Sequence, residues 1–210
     1  MATYKEIKGT GSQNFSSDPG NPINGQVWYN TTSSTLKVAE VLTTGAWATG
    51  GNLNVSKTNS GSTGTQTAAH VFFQSNAEEY NGSSWTNTTG LSTSRYEVSG
   101  AGTQTAGLAV AGFPPAPGSA VTEEYGGTSW TNGGDLNSAR AEIAGCGLQD
   151  AAVAFGGTSP AAFAFAATEE YNGSSWTNGG AMSQVRRRAA GSGAQSNALA
   201  TSGLISSGNS

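Results

Sequence analysis

The chain has 210 residues and a formal net charge of −4; only 10% of residues are charged and 31 are glycine, yet 35% are hydrophobic and five are tryptophan. That balance argues for a packed core over a disordered polar chain. Sparse Lys and Arg exclude the basic footprint of a duplex nucleic-acid binder, no apolar run reaches the ~18 residues of a membrane span, and the lone Cys146 leaves no intrachain disulfide or multi-cysteine metal site.

The N-terminus, Met1–Glu6, has no apolar segment of the kind a secretory signal needs, and the chain is expected to be made in a reducing cytosol. Residues 1–38 stand outside the repeats that follow. Asn14–Pro22 is dense in turn formers and reads as irregular chain. Gln26–Asn30 and Thr35–Ala39 are short β-prone runs separated by Thr31-Thr32-Ser33-Ser34, which predicts a hairpin. An extended arm ending in a hairpin suits anchoring, with Phe15, Trp28 and Tyr29 as its contact residues.

From Trp47 onward the chain repeats itself. Trp47, Trp85, Trp130 and Trp176 are spaced 38, 45 and 46 residues apart. Each is followed in register by Leu53, Leu91, Leu136 or Met182; then by Lys57, Arg95, Arg140 or Arg186; then by Gly64, Gly102, Gly147 or Gly193; then by Gln66, Gln104, Gln149 or Gln195. A fixed period of this length marks a repeat architecture. Each unit reads as four short strands. In the third copy these are Ala141–Cys146, a Gly-x-Gln turn, Ala152–Phe155, Ala167–Tyr171 after a variable loop, and a strand at Trp176 reached through an Asn172-Gly173 hairpin turn.

The second strand decides the kind of all-β fold. One of its faces carries bulky residues (Leu108 and Val110, Val153 and Phe155) and the other carries Ala109 or Ala154. A sheet wetted on one side would alternate apolar with charged. Two apolar faces predict sheets stacked on one another around an axis, a β-propeller. After Trp176 the chain supplies only two more strands, Arg188–Gly191 and Asn197–Thr201. The missing pair is present at the start, as Lys37–Leu42 and Gly45–Trp47. The expected architecture is therefore all-β: a four-bladed propeller over residues 39–210, closed by a blade shared between the two ends, with an anchoring arm and hairpin over 1–38.

Gly-Gly after an apolar strand, a Glu-x-Tyr type strand, a tryptophan and then arginine occur here as Gly156-Gly157, Glu169-Glu170-Tyr171, Trp176 and Arg186. This pattern resembles the kelch repeat over roughly residues 38 to 205, with Gly-Gly replaced by Ala111-Gly112 and Ser202-Gly203 and absent after Phe73. The opening Met1–Thr10, with Asn14–Pro19 and Gly25–Thr32, resembles structural proteins of tailed bacteriophages, particularly marine ones. The resemblance implies a non-enzymatic virion component, a fibre, knob or decoration protein. It would be attached to other virion proteins through the arm and homo-oligomeric in the particle, with no cofactor, nucleic acid or membrane insertion. The alternative is a carbohydrate-binding propeller that recognises a host-surface glycan.

Gln66, Gln104, Gln149 and Gln195 fall in equivalent turns and are candidate glycan or partner contacts, because a side-chain amide both donates and accepts; the competing reading is local pairing with backbone. The loops after strand two differ between copies. Their Phe113, Phe163 and Phe165 are the other candidate contacts. Lys57, Arg95, Arg140 and Arg186 recur with Glu40, Glu78, Glu123 and Glu169, which predicts one inter-strand ion pair per blade. His70 stands where other copies have Leu or Val and reads as a packed imidazole; with no Gly-x-Ser-x-Gly elbow, a serine-hydrolase site is not expected.

Overall fold

The computed structural model describes residues 13–19, 27–38, 49–115, 118–159 and 161–205, which fall into two units, Met1–Thr49 and Gly50–Ser210. It is an all-β chain of short strands.

The first unit is a three-stranded sheet of β1 (Gln13–Phe15), β2 (Val27–Asn30) and β3 (Thr35–Val38). The expected hairpin is present, with Val27 opposite Val38 and Asn30 opposite Thr35. Strand β1, in a stretch that reads as irregular chain, pairs parallel to β2. Its pairing is long-range, so nothing in its own six or seven neighbours announces it. Asp18 ties the unit together. Its carboxylate accepts Trp28 Nε1 at 3.1 Å, Asn30 Nδ2 at 2.8 Å and Lys37 Nζ at 2.5 Å. These donors, Lys37 foremost, hold the Asp18 carboxyl down at about 2.

The second unit contains three four-stranded antiparallel meanders and a pair. Sheet I is β4 (Gly61–Thr65), β5 (Ala68–Phe73), β6 (Asn76–Tyr80) and β7 (Trp85–Thr89). Sheet II is β8 (Ser99–Gly102), β9 (Gly107–Val110), β10 (Thr122–Tyr125) and β11 (Trp130–Asn132). Sheet III is β12 (Ala144–Leu148), β13 (Ala151–Phe155), β14 (Thr168–Tyr171) and β15 (Trp176–Asn178). The pair is β16 (Ala190–Ser192) and β17 (Leu199–Thr201). Residues 39–48, on which the expectation of a shared blade rests, lie outside the described residues.

The turns follow from backbone chemistry. Gly64, Gly102, Gly147 and Gly193 sit at φ of 99°, 97°, 108° and 102°, where a Cβ is not tolerated, so the Gly-x-Gln turn requires glycine. The Gly-Gly position explains its own variation. Its first residue has φ of 63° at Ala111, 69° at Gly156 and 57° at Ser202, while its second has 107°, 100° and 94° at Gly112, Gly157 and Gly203. Only the second position is beyond what an L side chain adopts. In the β14–β15 hairpin, Asn172 Oδ1 accepts the Ser174 and Ser175 N–H groups at 3.0 and 2.9 Å, closing an Asx turn.

Packing bears out the two-faced strand. Phe72 of sheet I shares a cluster with Ala109 of sheet II. Leu108 and Val110 share one with Ala152 and Ala154 of sheet III. Val153 and Phe155 in turn pack against Ala200 of β17. The bulky face of each strand is thus set against the alanine face of the next, and each fully buried large side chain contributes about 1.5–3 kcal/mol. His70 takes the bulky position in sheet I and is fully buried among Phe72, Tyr125 and Trp130.

Three of the four expected ion pairs form, each joining the segment before a sheet's first strand to its third strand; Glu40 of the fourth lies outside the described residues. Lys57 binds Glu78, Arg95 binds Glu123 at 2.9 Å, and Arg140 binds Glu169 at 2.7 Å, with every partner's side chain no more than 2% exposed. Backbone N–H groups complete each carboxylate's shell: Asn54 and Val55 on Glu78, Ser92 and Thr93 on Glu123, Asn137 on Glu169. For Glu78 burial raises the pKa, but Lys57 and the two N–H groups outweigh it and hold the carboxyl below its ordinary value.

Candidate functional site

The structure uses the candidate glutamines between sheets. Gln104 Nε2 donates to Ala69 O at 3.0 Å and Tyr80 O at 2.7 Å; Gln149 Nε2 donates to Gly107 O and Tyr125 O; Gln195 Nε2 donates to Ala152 O and Tyr171 O. Each amide therefore clasps the second and third strands of the preceding sheet. Gln66 is exposed and has no such partner among the described residues. Of the loop aromatics, Phe163 is 40% exposed and lies under the Arg187 guanidinium at 3.9 Å. Phe113 is half-buried against Tyr96, and Phe165 is half-buried and bridges to Arg186. In the first unit Trp28 is buried, while Phe15 and Tyr29 are half-buried. Within the second unit Gln104, Gln149 and Gln195 bond between sheets, while the aromatics lie in the loops after the second strands.

What the fold does gather are the first strands of the sheets. β4 lies against β8, β8 against β12 and β12 against β16. Each is the edge strand of its own sheet. Together they wall a cavity of about 250 Å³ lined by Gly61 and Ser62 of β4, Ser99 and Gly100 of β8, Ala144 and Gly145 of β12, and Gly191 of β16. Small residues are needed here. A Cβ on Gly100 would stand 2.1 Å from Ser62 O, and one on Gly191 2.8 Å from Gly145 O. An edge strand has every second N–H and C=O unpaired by its sheet, so four such edges make a polar wall.

Immediately before Ser60, Val98, Ile143 and Ala189 of the wall, the sequence has Asn59, Glu97, Glu142 and Arg188. All four have left-handed backbones, with φ of 55°, 55°, 54° and 55°. They are linked through the main chain, Glu97 N–H to Asn59 O at 2.8 Å and Arg188 N–H to Glu142 O at 2.9 Å. Arg188 bonds Glu142 at 2.5 Å and lies 3.8 Å from Glu97, while Arg187 bonds the second Glu142 oxygen at 2.8 Å. Burial, reinforced by Glu142, pushes the Glu97 carboxyl above its ordinary value against the pull of Arg188 and Arg187. The hydrogen bond that Arg188 donates to the Glu142 carboxylate raises the Arg188 pKa. Sequence reasoning missed this ring. The available signal was a position, twelve residues after each repeated tryptophan, that is polar in every copy.

No protein-family model matches the chain, and a comparison with curated proteins finds no match either.

Proposed function

We propose that the repeats form a four-bladed β-propeller whose last blade is completed by residues 39–47. We propose further that the chain is a non-enzymatic structural component of a tailed-bacteriophage particle, attached through residues 1–38. The observation that carries the structural role is the use made of buried polar groups. The Arg–Glu and Lys–Glu pairs and the glutamine amides tie strand to strand and sheet to sheet, copy after copy. Such a body is a rigid spacer. The phage assignment rests on the resemblance of the N-terminal segment.

Three features support closure. Arg186 Nη1 reaches Ser202 O at 2.6 Å as Arg140 Nη1 reaches Gly156 O at 3.0 Å, and the acid at the matching register for Arg186 is Glu40. Trp85 Nε1 donates to Gly51 O as Trp130 Nε1 donates to Thr89 O, both at 3.0 Å, and Gly51 follows Trp47 by the same four residues that separate Thr89 from Trp85. Leu199 is 58% exposed on β17, whereas its counterparts Leu108 and Val153 are buried. A shared blade with the register of β13 on β14 would set Val41 opposite Leu199.

A Leu199→Cys, Val41→Cys double variant in a Cys146→Ala background tests the closed ring. A disulfide within one chain is expected; cross-links between chains, or none, would refute closure in cis. Removing residues 1–38 is expected to abolish incorporation into particles, while the propeller stays folded. Unimpaired incorporation of the truncated chain would count against the anchoring role.

A further inference from the structure

The Asn-Gly pair occurs four times among the described residues, as Asn81-Gly82, Asn132-Gly133, Asn172-Gly173 and Asn178-Gly179. With no side chain on the glycine, its nitrogen can close on the side-chain carbonyl carbon of the asparagine before it. All four asparagines are exposed, so access to water does not separate them. Hydrogen bonding does.

Gly133 N–H donates to Thr122 O and Gly179 N–H donates to Thr168 O, both at 3.0 Å. An amide nitrogen attacks only after losing its proton, and a carbonyl that holds the proton opposes that loss. Gly82 and Gly173 lie in the β6–β7 and β14–β15 hairpin turns, where neither N–H has a backbone acceptor among the described residues. The same two turns present the side chain. Asn81 Oδ1 accepts Ser83 N–H at 3.0 Å, Ser83 Oγ at 2.9 Å and Ser84 N–H at 2.9 Å. Asn172 Oδ1 accepts Ser174 N–H and Ser174 Oγ at 3.0 Å each and Ser175 N–H at 2.9 Å. These bonds fold the side chain across the glycine amide. They also stand where charge develops, because Oδ1 becomes an oxyanion when Cγ is attacked. By contrast, Asn178 Oδ1 accepts only Asn137 Nδ2 among the described residues, at 3.4 Å.

We propose that Asn81 and Asn172 are sites of spontaneous deamidation directed by their turns, while Asn132 and Asn178 are protected. The glycine nitrogen gives its proton to solvent base and bonds to Cγ, whose carbonyl electron pair moves onto Oδ1. The pair returns, the Cγ–Nδ2 bond breaks, and Nδ2 leaves as ammonia with a proton from water. Water then opens the succinimide at either carbonyl, giving aspartate or isoaspartate. Each event adds one negative charge, and isoaspartate also lengthens the hairpin backbone. Sheet II has the same turn without the reactive amide: Gly126 N–H donates to Ser129 O at 3.1 Å, and Gly127 has the φ of 88° found at Gly173. Sheets I and III therefore change charge with age at a turn where sheet II does not. This chemistry requires neither a closed ring nor a phage particle.

The test is peptide mapping by mass spectrometry of the full chain, kept folded at mildly alkaline pH in heavy-oxygen water, beside a second sample unfolded in guanidinium chloride. The heavy oxygen marks carboxylates formed during the incubation. In the folded sample Asn81 and Asn172 are expected to convert at least about tenfold faster than Asn132 and Asn178, the effect of one amide hydrogen bond on the barrier. In the unfolded sample all four are expected to convert at similar rates. The proposal is overturned if Asn132 or Asn178 converts as fast as the turn residues in the folded chain, or if neither turn residue converts there. It is equally overturned if the same selectivity persists in guanidinium chloride, since the flanking sequence and not the fold would then set it.

Discussion

Replacing His70 by leucine isolates the cost of one buried imidazole. His70 is fully buried, neither ring nitrogen has a hydrogen-bond partner, and sheet II has Leu108 in the same position. Burial lowers its pKa from 6.5 to about 4. The groups around it are Phe72, Tyr125 and Trp130, with Glu79 opposite it on β6 and bonded to the Tyr125 hydroxyl. The sign follows from which state takes the proton. Between pH 6.5 and 4 the unfolded chain protonates this histidine and the folded chain does not, so stability falls as pH falls through that window. At 1.36 kcal/mol per unit, the full loss is about 3 kcal/mol, of which about 2 kcal/mol is reached by pH 5. Urea unfolding of wild type and His70→Leu at pH 8 and pH 5 measures it. Carboxylates contribute equally to both proteins, so the variant is expected to lose about 2 kcal/mol less than wild type on acidification. At pH 8 it is expected to be more stable, because two buried unpaired nitrogens are gone. The same stability change between the two pH values in both proteins would refute the reasoning, and would mean that Glu79 supports the imidazolium.

Other consequences follow from the same geometry. Arg140→Met strands the Glu169 carboxylate in a buried site and is expected to cost about 3–5 kcal/mol in denaturant unfolding, whereas Arg140→Met with Glu169→Leu recovers most of that loss. Gly102→Ala puts a Cβ 2.2 Å from Ala106 O at a φ of 97° and is expected to lower the melting temperature by a shift worth about 1–3 kcal/mol. Asp18 keeps its carboxylate charged in the folded first unit down to about pH 2, so its contribution is present above pH 3.8 and disappears as pH falls from there to 2. The Trp28 indole N–H resonance is the probe: in wild type it should titrate with a midpoint near pH 2, and in Asp18→Ala it should be insensitive to pH.

Much of this protein is written in neighbouring residues. The Gly-x-Gln turn needs a backbone only glycine adopts, Asn172-Gly173 closes a local Asx turn, and the bulky and alanine faces of strand two are set by alternation along four or five residues. The Arg and Glu periodicities carried the buried pairs as well, because each base and each acid holds a fixed register to the repeated tryptophans. Tertiary structure decided the rest. The glutamines recur as regularly as the arginines, yet their amides turn to the preceding sheet, since the carbonyls they meet, such as Gly107 O and Tyr125 O for Gln149, come from a different copy. β1 exists only through a strand more than ten residues away. The charged cluster forms because Glu97, Glu142 and Arg188 come from three repeats whose edge strands converge. That convergence comes from how sheets stack, and no single repeat contains it.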